Sequence, residues 1–316
     1  MIFQTQIPIK REENNLISYY SKTLLIGSCF SENIGNKLAF YKFQTHQNPF
    51  GILFHPKAIE NLISRAIKSE YYIEKDLVFN NERWHCLDAH SSLSAADKNT
   101  LLHNLNSALE NTKTYLENAS HIIMTLGTSW VYRYLENDCI VANCHKIPQK
   151  KFSKDLLSID EITSTLKNIT ALISSINKKA NIIFTVSPVR HLKDGFIENN
   201  RSKAHLISAV HATVNSEMNS HYFPSFEIVV DELRDYRFYN EDMIHPNNMA
   251  INHIWNKFTA TWFSEDTEPV MKIVETIQRG IAHRPFNEAS EQHQKFLKNL
   301  QLKMKQLSSK FPFIKF

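Results

Sequence analysis

Short apolar segments separated by long helical patterns constrain this chain more than any other feature of its sequence. Four of the segments are predominantly apolar, and a fifth, at 42–46, is more polar. Continuous apolar runs of this length are typical of strands in a parallel sheet that is covered on both faces. The predicted strands are residues 23–26, 42–46, 122–126, 181–186 and 226–230.

Amphipathic helical patterns fill the intervals between these strands. Strands that alternate with helices indicate an α/β fold. We therefore expect a three-layer, doubly wound, flavodoxin-like parallel sheet of about five strands. The predicted helices are residues 31–40, 56–67, 98–118, 159–177, 201–220 and 247–263.

Two stretches look like additions to this core. Residues 77–93 have the pattern of a hairpin that turns at Asn80, Asn81 and Glu82. We assign residues 1–265 to the α/β domain and residues 266–316 to a C-terminal helical extension. One face of that extension is apolar, so it is expected to pack on its own domain or on a partner, and a homo-oligomer is one outcome.

The composition is that of a protein with a substantial core, since 42% of the 316 residues are hydrophobic and 22% are charged. The formal charge of +4 is small and dispersed, which argues against nucleic acid as a partner. The first residues lack the pattern of a signal peptide, and no run is long enough for a membrane span. We therefore expect a cytoplasmic protein without a membrane span.

The four cysteines form neither a disulfide pattern nor a zinc motif. Cys139 and Cys144, together with His145, could supply half of a metal site. Free thiols in a reducing compartment are the favoured interpretation. We expect neither a metal nor a cofactor.

Ser28 stands where the first predicted strand meets the first predicted helix, in the segment IGSCFSENIG. A serine at such a junction lies at a helix N-terminus, where free N–H groups favour a developing negative charge. Its own N–H could serve as an oxyanion donor. The alternative is that Ser28 is an ordinary N-cap.

Asp242 and His245 follow the last predicted strand, in the segment DMIHPN. A tight turn would bring the carboxylate to the imidazole, so that Asp242 orients His245 and His245 takes a proton from Ser28. The alternative is a capping aspartate beside a surface histidine. A serine after the first strand and an Asp-x-x-His motif after the last strand together indicate a catalytic site more strongly than either feature does alone.

Several segments together resemble the GSCFA-domain family, and the order Ser…Asp-x-x-His resembles the SGNH, or GDSL-like, hydrolases. The fifth position of the Gly-Ser-Cys-Phe-Ala motif is here Ser31. The resemblance runs from about residue 23 to residue 263. It rests on the segments IGSCFSENIG, NPFGILFHP, HIIMTLGTSWVYR, NCHKIP, SPVRHLKDGF, SKAHL and DMIHPN.

The SGNH resemblance implies that Ser28 is the nucleophile and that Gly51 donates its N–H to the oxyanion. The third SGNH block normally provides an asparagine after a Gly-x pair, and in Gly127-Thr128-Ser129 the serine stands at that position. Ser129 or Asn48 would have to substitute for it. Removing one such donor typically costs about 3–4 kcal/mol of transition-state stabilisation.

The resulting hypothesis is a serine hydrolase or O-acyltransferase acting on a small acyl ester, such as an O-acylated saccharide. The alternative is a catalytically weak or inactive module that binds a ligand in the same cleft. Other candidate substrate-binding residues follow strand ends or the hairpin; they are His90, Trp130, His145, Arg190 and His191.

Overall fold

The protein is built on a five-stranded parallel sheet in the order β10-β9-β5-β1-β2. The computed structural model describes residues 5–316, and residues 1–4 of the predicted domain lie outside the described residues. The sheet strands are β1 (Lys22–Gly27), β2 (Gln44–Gln47), β5 (His121–Leu126), β9 (Asn181–Val186) and β10 (Ser220–Tyr222). The predicted three-layer α/β fold is confirmed.

The remaining strands lie outside this sheet. β3 (Leu77–Asn80) and β4 (Arg83–Cys86) form the predicted hairpin. A three-stranded antiparallel sheet of β6 (Trp130–Tyr134), β7 (Cys139–Val141) and β8 (Phe152–Leu156) was not predicted.

Each predicted helix is present with bounds close to those expected, except that the helix predicted at 201–220 begins at Phe196 and ends at Val214. The helices of the described residues, in chain order, are α1 (Cys29–Phe40), α2 (Pro56–Lys68), α3 (Lys98–Asn118), α4 (Ile159–Ile176), α5 (Phe196–Val214), α6 (Ser225–Glu227), α7 (Asn248–Trp262), α8 (Thr267–Ala282) and α9 (Glu291–Lys310). No helix among residues 5–316 is long and apolar enough to cross a bilayer.

Alternate residues of each central strand enter different cores, because successive strand side chains point to opposite faces. Leu24 and Ile26 pack in one cluster with α2, α3, α4 and α5. Leu25 packs in the other cluster with α1, α7, α8 and α9. α9 buries Leu300 and Leu307 in this second cluster, so the C-terminal helices pack on their own domain, while the oligomer stays a prediction.

One predicted strand was wrong. Residues 226–230 are helical, because α6 continues into a π-helical segment, Ile228–Leu233. The edge strand is instead the short β10, which pairs in parallel with β9. The apolar side chains of Ile228, Val229 and Leu233 enter the core on one helical face.

Gly27 ends β1 at a position that only glycine fits. Its φ is +144°, and a Cβ built there would lie 2.1 Å from the carbonyl oxygen of Thr125 on β5. We predict that Gly27→Ala lowers the free energy of unfolding by about 3 kcal/mol, because the strands must separate locally. Urea unfolding measures this difference.

Gly35→Ala is the matched control for this substitution. Gly35 lies within α1, and its added Cβ would meet only the side chain of Gln47. That side chain is half-buried and can move, so unfolding should change by less than about 1 kcal/mol. Equal free energies of unfolding for Gly27→Ala and wild type would contradict the prediction.

Candidate active site

Ser28 is the N-cap of α1, immediately after β1. Its hydroxyl oxygen accepts a hydrogen bond from the N–H of Phe30 at 3.4 Å, and the side chain is fully buried. Its own N–H donates to the carbonyl of Thr125 at 3.0 Å. The predicted position at a helix N-terminus is therefore observed, and the N–H of Ser28 is engaged by β5.

Asp242 and His245 form a hydrogen-bonded pair within one turn. Oδ2 of Asp242 lies 2.7 Å from Nδ1 of His245, and Oδ1 accepts the N–H groups of Ile244 and His245. The hydrogen bond from the N–H of His245, with those from its ring and from Ile244, lowers the pKa of Asp242 to about 2. The ionised carboxylate thus orients the imidazole and leaves its Nε2 free to exchange a proton.

His245 faces a cleft at the carboxyl ends of the central strands, where sites in doubly wound sheets occur, and the buried Ser28 is adjacent in sequence to a residue of the cleft lining. The cleft has a volume of about 640 Å³ and is lined by His245 and by Cys29, the residue after Ser28. Within the described part of the chain, no hydrogen bond joins the Ser28 hydroxyl to His245. The structure therefore forms the Asp–His pair and leaves the Ser–His contact unmade.

The four predicted oxyanion donors differ in whether their protons are available. Ser129 is buried, and its hydroxyl donates to Ser202 on α5. The N–H of Gly51 donates to the carbonyl of Asn48 at 2.7 Å, and that of Ser28 is engaged as described. Oδ1 of Asn48 accepts the N–H of Gly27 at 2.9 Å, while its buried Nδ2 has no partner in residues 5–316. Asn48 is thus the predicted donor that remains free.

Most of the predicted substrate-binding residues line the cleft. Trp130, His145, Arg190 and His191 do so, whereas His90 lies outside the lining and places its Nδ1 3.1 Å from Ser92. The indole of Trp130 donates to the carbonyl of Glu198, and the ammonium group of Lys154 lies 4.5 Å from its ring centroid.

Arg190 holds the turn that carries the Asp–His pair. Its guanidinium donates to the carbonyl of Met243, and its N–H donates to the carbonyl of Ile244. The guanidinium carbon also lies 4.2 Å from the centroid of the Tyr239 ring. Arg190 therefore fixes the Asp242–His245 turn and forms part of the cleft wall.

Lys203, on α5, is a residue of the site that the sequence interpretation missed. Its side chain is fully buried, and Nζ donates to the carbonyls of Gly127 and Ser187 at 2.6 and 2.7 Å. Burial lowers the pKa of Lys203 to about 7. The available signal was its spacing from Leu206 and Val210, which places a lysine on the apolar face of a helix.

Other candidate sites offer less chemistry. A larger groove of about 1130 Å³ between α2, α4 and β7 contains none of the predicted site residues. The four cysteines are free thiols, and no group of three His, Cys, Asp or Glu side chains among residues 5–316 could hold a metal ion.

Comparison with known proteins gives two matches along the chain. The model of the GSCFA family matches residues 22–258, and that of the GSCFA domain protein, C-terminal domain, matches residues 274–316. No curated protein matches the sequence. The first match spans most of the chain and includes every residue of the candidate site.

Proposed function

The chain belongs to the GSCFA family, and from that premise we propose that it is a serine hydrolase or acyltransferase that acts on a small O-acyl ester. The observation that carries the proposal is the Asp242–His245 pair, which faces the same cleft as the helix N-terminus that bears Ser28. The resemblance of this arrangement to SGNH hydrolases supports the same reaction.

In the proposed reaction, the Ser28 oxygen attacks the ester carbonyl while Nε2 of His245 takes its proton. Collapse of the tetrahedral intermediate breaks the bond to the alcohol, which leaves with the proton from His245. Water, or a second alcohol in a transferase, then attacks the acyl-serine with His245 again as base. The bond to the Ser28 oxygen breaks as His245 returns a proton to that oxygen, which releases the acid or the new ester. Asp242 holds the imidazole through Nδ1 and stabilises its charge throughout.

The cleft suits a small substrate with both apolar and polar parts. Trp130, Tyr132 and Ile147 supply apolar surface, and Arg190 and Lys193 supply cationic groups. An O-acylated saccharide has both kinds of group, since aromatic rings bind sugar faces and charged side chains bind hydroxyls.

One observation favours a second candidate function, a module that binds a ligand without turning it over. The Ser28 side chain has no exposed surface and makes no hydrogen bond to His245. Attack on a substrate therefore requires neighbouring groups to move and the Ser28 hydroxyl to turn toward His245. A binding module would need neither change.

Labelling with a fluorophosphonate distinguishes the two functions, because the probe reacts covalently only with an activated serine. We expect wild-type protein to be labelled at Ser28, as located by peptide mass spectrometry. The variant Ser28→Ala should lose the label, and so should heat-denatured wild type.

Ser31→Ala is the matched control, since Ser31 is a buried serine in the first turn of the same helix. It should be labelled like wild type. Folded wild type that stays unlabelled over a range of probe chain lengths would overturn the hydrolase proposal and favour the binding module.

A further inference from the structure

The geometry points to Nε2–H of His191 as a donor to the oxyanion that forms when Ser28 attacks, an inference that rests on the function proposed above. SGNH hydrolases use an asparagine for this purpose, and the serine at that position here is turned toward Ser202. Among the predicted donors only Asn48 remains free, so a second side-chain donor has to come from another part of the chain.

Nε2 of His191 is buried and has no hydrogen-bond partner among the described residues. A Cβ placed on Gly127 would lie 3.0 Å from this nitrogen and 3.3 Å from Cβ of Ser28. The ring nitrogen and Ser28 thus flank the same small space at the end of β5. The space is narrow, since the carbonyl oxygen of Phe54 would also lie 3.0 Å from that Cβ, so the neighbouring groups must shift slightly to admit a substrate oxygen within hydrogen-bond distance of Nε2.

The main chain and the ring of His191 each have a fixed neighbour. The backbone N–H of His191 donates to Oδ1 of Asn199 at 2.9 Å. The ring of Phe54 packs against the imidazole with centroids 5.4 Å apart and an interplanar angle of 85°. A donor that is already fixed stabilises a developing charge without reorganising during the reaction.

Burial, reinforced by neighbouring charges, keeps the imidazole of His191 neutral. Burial, followed by the charges of Lys203 and His245, lowers the pKa of His191 to about 3. At neutral pH one ring nitrogen carries a proton and the other does not, and the proposal assigns the proton to Nε2. A neutral imidazole is able to polarise a carbonyl as an electrophile.

Asn48 completes the arrangement from the other side of β1. Its free Nδ2 and the Nε2–H of His191 give two side-chain donors, where the N–H groups of Ser28 and Gly51 are engaged. Lys203 adds positive charge beneath them through its hydrogen bond to the carbonyl of Gly127. The hydrogen bonds from both donors, and the attraction of the positive charge, would strengthen as the ester carbonyl becomes an oxyanion.

The test measures kcat and KM for an activated acetyl ester, p-nitrophenyl acetate, together with thermal stability. His191→Phe keeps a packed ring but removes the donor, so we expect kcat to fall about 10²- to 10³-fold with KM nearly unchanged. His191→Gln retains an N–H donor of similar reach and should recover at least tenfold of that loss. If His191→Phe does not fold, His191→Leu serves in the same comparison.

His46→Leu is the matched control, because Nε2 of His46 is also buried without a partner but lies against Tyr115, away from the cleft. Its kcat should equal that of wild type. Equal kcat in wild type and His191→Phe, or equal losses in the Phe and Gln variants, would overturn the role of His191. Absence of Ser28-dependent turnover in wild type would instead overturn the proposed function.

Discussion

Ser28→Ala and His245→Ala are each expected to reduce turnover of an activated ester by roughly 10⁴- to 10⁶-fold, and Asp242→Asn by about 10⁴-fold. Serine is a poor nucleophile until a base removes its proton. An amide at residue 242 would neither hold the imidazole tautomer nor stabilise its positive charge. Steady-state measurement of kcat/KM for each variant checks these values.

The three losses should not multiply, because the residues act as one unit. The double variant of Ser28 and His245 should therefore be no slower than Ser28→Ala alone. Asp235→Asn is the control for Asp242→Asn, since Asp235 is an exposed carboxylate that pairs with Arg237. Wild-type turnover in Ser28→Ala would show that Ser28 is not the nucleophile.

Acidification from pH 7 toward pH 4.5 is expected to lower the stability of the folded protein by several kcal/mol. Burial lowers the pKa of His55, His121 and His145 to about 4, and that of His191 to about 3. An unfolded chain accepts protons at these residues below about pH 6.5, whereas the folded chain does not. Stability therefore falls as pH drops below 6.5, by about 1.4 kcal/mol per pH unit for each histidine.

His55 gives the sharpest test of this effect. Its Nδ1 accepts the N–H of Ala58 as the N-cap of α2, and its Nε2 donates to the carbonyl of Val141. The bond from Ala58 requires the neutral ring, because a protonated Nδ1 has no lone pair to accept it. His55→Asn keeps an N-cap acceptor but has no titrating group at this position. On acidification it should therefore lose less stability than wild type, and the difference between the two proteins should be about 1.4 kcal/mol per pH unit.

Urea unfolding at pH 7.5 and pH 5 measures this difference. His103→Asn, at an exposed position of α3, should show the same pH dependence as wild type. Parallel losses of stability in wild type and His55→Asn between the two pH values would contradict the assignment of a neutral, buried His55.

The central sheet was predictable because most of its strands are local apolar runs. The predicted strand at residues 226–230 is the exception, because a short apolar run fits a buried helix as well as a strand. Residues 226–230 pack as a helix beside α7, and the true edge strand, β10, is too short and polar to give a signal. The sheet of β6, β7 and β8 was missed since β8 joins it from beyond a long loop.

Whether a feature of the site was predictable also depended on whether its contacts are local or distant in the sequence. The pair of Asp242 and His245 was predictable, because both residues lie in one turn. The hydrogen bonds of Ser129 were not, because its partner, Ser202, lies on a distant helix. Lys203 was missed for the same reason, since its carbonyl partners follow two different strands.

The order of strands has a consequence for how this protein folds. β1 pairs with β5, and β5 with β9, so each central pairing joins segments that are far apart in the chain. Such non-local pairing slows folding, because long loops must close before the contacts stabilise them. Ser28 leaves the ribosome early and His245 late, so a nascent chain lacks one residue of the proposed triad until the segments of the sheet have been synthesised. During refolding, the recovery of ester turnover should consequently lag behind the recovery of helical structure.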